Sequence, residues 1–241
     1  MTLRVSRTRR AVIVTLPMQC DPDEATPFIH RHIAWVRERL DSIPAPVPFE
    51  HGVLIPLRGE PHRVVFEADA GGGFVASGVI TRRPQVANAL PELIVRGRPS
   101  QAARRLRAWL EREAERDLDA RVAAHAAGLR LRPKRIAVRD QTSRWGSCST
   151  TGLLSFSWRL VMAPPFILDY VAAHEVAHLA EMNHGPRFWA LVRQTCPRTE
   201  EARQWLQLYG MDLHRYGVEA VADKPATAEV AQMPVPMRAA S

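Results

Sequence analysis

The stretch HEVAHLAEMNHGPRFW, residues 174–189, decides how this chain folds around its chemistry, and it holds three of the nine histidines. His174 and His178 are four residues apart. On a helix turning about 100° per residue they lie about 40° apart, one turn above the other on the same face. Two imidazoles so placed can grip one metal ion. Glu175 sits about 100° round the helix, beside the ligands but not among them, where it can reach a water on the metal.

A catalytic zinc site needs a third protein ligand and an open fourth position. His184 is the candidate. On an unbroken helix it would lie about 240° from His178 and face away. The helix must therefore end near Met182–Asn183, where Asn183 can enter the left-handed region. Gly185 and Pro186 then let the chain turn and begin a new helix. Glu181, one turn past His178, is a rival third ligand or a group that orients a histidine. The plainer alternative is a buried helix whose histidines are only hydrogen-bonded. Leu168, Ala172, Val176 and Leu179 form an apolar back face, and Ile167, Tyr170 and Val171 lie near the histidine side. The third histidine and the helix break favour metal, and imidazole ligands favour Zn2+.

Outside this stretch the chain reads as α+β. A length of 241 residues suits one domain with tails or a subdomain. Residues 1–46 are weakly organised, with one helix expected around PFIHRHIAWVRERL. From 47 to 98 the pattern is β-rich: VLIPL, RVVFEA, FVASGVI and PELIVRGRP are strands separated by turns at RGEP and DAGGG. Residues 99–216 carry the metallohydrolase domain. Ser100 reads as the N-cap of a long helix to about Ala127, with Leu106, Leu110, Ala114, Leu118 and Val122 as its core stripe. KRIAVRD is a strand, QTSRWGSCSTTG a polar loop, and Leu154, Phe156 and Trp158 mark another strand. Pro164 and Pro165 open the histidine helix, Pro186 the next, and Thr199 caps the one after it. Residues 217–241 are aperiodic and expected to be disordered.

Composition narrows the setting. Lys plus Arg number 33 against 25 acidic residues, a formal charge of +8. All but Lys134 and Lys224 of these cations are arginine. No basic block is long or clean, so nucleic acid is only weakly supported as a partner. Three cysteines without a CxxC pair argue against a disulfide framework or a zinc ribbon and for a reducing compartment. No apolar run is long enough to span a bilayer, and AVIVTLPM behind the N-terminal arginines lacks a cleavage site, so no membrane association is expected and the cytoplasm is the expected location.

SRWGSCS, SWRLVMAPP, YVAAHEVAHLAEMNHGPRFW and CPRTEEARQWL together resemble the YgjP-like family of metal-dependent hydrolases. That family belongs to the zincin metallopeptidases and is similar to SprT-like and Wss-like proteases. The resemblance runs from about Val47 to about Gly210. It implies a minimal zincin domain: an active-site helix, a small antiparallel sheet and flanking helices. It also implies Zn2+ on His174, His178 and His184 with Glu175 as base. The spacing to His184 also follows the metzincin pattern HExxHxxGxxH, but Glu181 stands where that pattern has glycine.

A zinc metallopeptidase acting on proteins or peptides is thus the expected function. The alternatives are a zinc hydrolase of a non-peptide substrate such as a nucleotide, and a binding module with a structural zinc. Arg144 and Trp145, in the loop before the site, are candidates for holding substrate, Arg144 by a bidentate carboxylate or phosphate contact and Trp145 by stacking. The competing expectation is that Trp145 is core and Arg144 a structural ion pair. Cys148 is expected to be a buried thiol. Phe188, Trp189 and Trp205 are expected in the core, and Tyr209, His214 and Tyr216 are possible oxyanion donors.

Overall fold

A computed structural model describes residues 1–6, 11–17, 19–20, 25–68, 80–83 and 90–218. Most of the FVASGVI stretch and the tail beyond Val218 lie outside them. The chain divides into a unit formed by Met1–Ile43 with Ala220–Ser241 and a larger unit, Pro44–Glu219. In the first, β1 (Thr2–Ser6) pairs antiparallel with β2 (Ala11–Thr15), and helices α1 (Ala25–Arg31) and α2 (Ile33–Asp41) follow. The apolar run behind the N-terminal arginines is thus a strand. No helix among the described residues is long and apolar enough to cross a membrane.

The larger unit joins the β-rich segment and the histidine-bearing segment around one core. Strands β3 (Leu54–Leu57), β4 (Glu60–Glu67), β5 (Ile80–Arg83) and β6 (Glu92–Arg96) form a sheet in the order β3-β4-β6-β5. β4 and β6 are parallel and the two outer pairs antiparallel. Helix α3 (Pro99–Leu129) buries Leu106, Leu110, Ala114, Leu118 and Val122, the stripe expected from their four-residue spacing. It starts with Pro99 at its first position, so Ser100 is already helical and not the cap. It also runs through Gly128 and stops at Arg130, whose φ of 56° is left-handed.

A two-residue turn, Arg58–Gly59, closes the β3–β4 hairpin, with φ of 52° and 82°. Positive φ at both central residues matches the twist of the flanking strands. The turn carries the hairpin onto the approach to the histidine helix. The Arg58 amide donates to Val161 O at 2.7 Å and the Gly59 amide to Met162 O at 3.1 Å. A Cβ on Gly59 would stand 3.1 Å from Pro164 Cα. The Arg58 side chain turns the other way and bridges Glu113 and Asp117 of α3, each at 2.8 Å. One hairpin tip thus sets both α3 and the start of the site helix.

The second sheet has the order β7-β9-β8, from β7 (Arg135–Arg139), β8 (Gly146–Cys148) and β9 (Leu153–Ser157). The sheet is mixed, where a wholly antiparallel one was expected. β8 and β9 form an antiparallel hairpin, but the chain leaves β7 for the far edge and returns down the middle, so β7 and β9 run parallel. β8 lies inside the stretch expected to be loop. A 3₁₀ segment (Trp158–Met162) leads into α4 (Pro165–Ala177), with Pro164 as N-cap and Pro165 at its first position. α5 (Pro186–Thr195) and α6 (Thr199–Tyr209) complete the unit. Thr199 is the first helical residue of α6 instead of its cap, and its hydroxyl donates to Cys196 O at 2.7 Å.

Candidate metal centre

α4 is buried nearly all round because apolar residues cover almost every face of it. His174 and His178 emerge at its last turn, one turn apart. The helix ends at Ala177, earlier than Met182–Asn183. Short turns replace it: the Leu179 amide donates to Val176 O at 3.0 Å and the Ala180 amide to Ala177 O at 3.1 Å. Asn183 does not adopt a positive φ. The break comes from this tightening of the last turn, and it swings residues 181–185 back across the helix end. Glu181 leaves the histidine face as a result. Its main-chain carbonyl, not its carboxylate, meets His178 Nδ1 at 3.0 Å.

The break brings His184 to the other two. One nitrogen from each of His174, His178 and His184 lies within 4.8 Å of the others. His174 Nε2 and His184 Nε2 are 3.1 Å apart. Phe188, fully buried at the start of α5, underlies all three rings at centroid distances of 4.8, 4.5 and 4.7 Å. Behind His174, the Tyr170 hydroxyl stands 3.4 Å from Nδ1, one turn back on α4. With Nδ1 of His174 and His178 each facing a polar partner, their Nε2 atoms are left to point inward. Burial first, then the neighbouring imidazoles, lowers His174 to a pKa of about 3, so its ring is neutral at physiological pH.

Glu175 is 5% exposed, and its Oε2 has no hydrogen-bond partner among the described residues. Burial pushes its carboxyl up to about 8, with Arg144 opposing. The carboxylate lies against Gly146 of β8. A Cβ there would come within 2.6 Å of both Glu175 Cγ and Oε1. Gly146 is the site residue that sequence reading missed. A glycine between Trp145 and Ser147, with no turn at that point, was the available signal for close approach.

The other expected residues are distributed as follows. Arg144 is exposed on the approach to β8. Trp145 is half-buried, its ring 4.8 Å from His214 and its indole next to Gly210, so packing occupies it there. His214 is buried against Trp145, and burial lowers it to about 4. Tyr209 is 51% exposed and packs on Trp205, while Arg159 donates to the carbonyl of Tyr216. Cys148 donates to Ser149 O at 3.4 Å, and burial followed by the Glu175 charge pushes its thiol up, which keeps it protonated. Trp189 is half-buried with its ring 5.9 Å from both His174 and His184.

No curated protein matches the chain. Among solved structures, the metallopeptidase zymogen abylysin of Pyrococcus abyssi is similar over 38% of this chain and 94% of its own. The identity is 19% and the TM-score 0.35. Residues 1–209 match the family described as YgjP-like, metallopeptidase domain, and the chain that carries this three-histidine centre belongs to that family.

Proposed function

We propose that the protein is a zinc-dependent metallopeptidase in which Glu175 is the general base. The observation that carries this reading is the pairing of three converging imidazoles with a buried, unpartnered carboxylate oxygen. The donor set fits zinc. At Zn–N distances near 2.0–2.1 Å, tetrahedral nitrogens stand about 3.3 Å apart, close to the 3.1 Å between His174 and His184. Among the described residues no fourth His, Cys, Asp or Glu joins the group, which favours a catalytic over a structural site. Bound zinc supplies Lewis acidity and a water acidified to a pKa of about 7.

The chain's own residues do the rest. His174, His178 and His184 hold the ion, and the Tyr170 hydroxyl and the Glu181 carbonyl fix the rings of His174 and His178. A cation beside Glu175 favours its charged form and offsets the burial that raises its pKa. Glu175 then takes the proton of the attacking water on a carboxylate oxygen and gives it to the leaving amine. Gly146 leaves the space in which the carboxylate sits. β8 is an edge strand, and its neighbouring edge position can receive an extended peptide by main-chain pairing. Three cysteines without a CxxC pair suit a reducing compartment, so the cytoplasm is the proposed location.

The test is cleavage of an unfolded protein by zinc-loaded wild type and Glu175→Gln, with zinc content measured in both. The expected result is cleavage by wild type alone with equal zinc. Equal cleavage by both would remove Glu175 from the mechanism, and no cleavage by either would reject the peptidase reading.

A further inference from the structure

We infer that Arg144 selects the substrate, its guanidinium receiving a carboxylate of a peptide laid along β8. This deepens the peptidase reading above and rests on it. The placement follows from where β8 begins. The Trp145 carbonyl accepts from the Ser157 amide at 2.9 Å, which extends the β8–β9 ladder one residue before Gly146. Side chains alternate along such a ladder. Trp145 turns to His214 and Gly210 on one side. The Cβ direction of Gly146 points at Glu175 on the other. Arg144 precedes this pair just outside the strand, two residues from the Gly146 that abuts Glu175, and its charge acts on the Glu175 carboxyl.

Three features mark it as a binding group and not a strut. It is exposed. It makes no hydrogen bond or salt bridge among the described residues. Its charge favours the ionised Glu175 carboxyl, yet no hydrogen bond or ion pair joins the two among the described residues. Some arginines of this unit are tied to carboxylates, including Arg58, Arg107, Arg159, Arg198 and Arg203, whereas Arg144 is left open beside Glu175. The residue that follows Arg144 is held by the Trp145 packing and the ladder, so the cation is presented next to a fixed strand. A planar fork of donors so placed matches a carboxylate with two parallel hydrogen bonds. Its source is either an acidic side chain near the scissile bond or a free C-terminus.

The experiment uses the full chain loaded with zinc and a peptide series differing at one position near the cleavage site: Glu, Gln or Lys, each with a free or amidated C-terminus. For wild type, kcat/KM for the preferred carboxylate exceeds its neutral counterpart by about tenfold or more, as for a hydrogen bond to a charged group. Preference that follows Glu identifies a side chain, and preference that follows the free terminus identifies that end. In Arg144→Gln the ratio falls to about one, and in Arg144→Glu it inverts toward Lys or the amide. Zinc content and melting temperature of both variants show that they are folded. Equal rates across the series for wild type, or a ratio that survives in Arg144→Gln, overturns the inference while leaving the peptidase reading intact. Failure of zinc-loaded wild type to cleave any peptide rejects both.

Discussion

At the scale of one residue, Glu175 is held by space as much as by contacts. Gly146→Ala places a methyl where Glu175 Cγ and Oε1 now lie. A displacement of about 1 Å costs on the order of 100-fold in rate. Gly146→Ala is therefore expected to keep zinc and lose about that much kcat, measured alongside zinc content. Tyr170→Phe removes the hydroxyl behind His174 Nδ1. Zinc affinity should fall about tenfold or more, as is usual for partners of metal-bound histidines, read by competition with a chelator. The convergence of His174, His178 and His184 was legible from spacing alone. The roles of Gly146 and Tyr170 were not, because nothing local says that β8 passes over α4.

At the scale of elements, the Arg58–Gly59 turn joins the β-rich hairpin to the start of α4. Gly59→Ala meets both a left-handed backbone and Pro164. A destabilisation of about 1–3 kcal/mol is expected, seen as a lower urea midpoint. The loss should be smaller at the half-buried Gly52, where a Cβ meets nothing within 4 Å. Strands β3, β4, β6, β7 and β9, the α3 stripe and the proline-opened helices could be read from periodicity and turn residues, whereas β1, β2 and β8 were not. The mixed order of the second sheet could not, since a parallel pairing across a hairpin leaves no local trace. The helix break was anticipated for the right purpose but assigned to Asn183. The chain instead tightens after Ala177, where the Leu179 and Ala180 amides close short turns.

For the whole molecule, an ion-pair centre joins distant parts of the larger unit. Asp140 follows β7 and pairs with Arg159 of the 3₁₀ segment and with Arg107 of α3, while Trp158 Nε1 donates to it at 3.2 Å. Burial alone would raise the Asp140 carboxyl, but Arg159 and Arg107 outweigh it and hold it below the ordinary range. A depressed folded pKa contributes stability in full above the unfolded value of about 3.9 and loses it as pH falls through the folded one. Asp140→Asn should therefore lower the urea midpoint at pH 7 and flatten its decline below about pH 4. The same pairing explains why an arginine-rich sequence need not signal nucleic acid: many of its cations answer carboxylates within the fold. Such long-range pairs are invisible in sequence, whereas the three-histidine centre they support is not. X-ray absorption on the zinc-loaded protein tests that centre most directly. Three imidazole nitrogens and one oxygen around zinc are predicted, and a fourth protein ligand, such as sulfur from Cys148, would contradict a catalytic site.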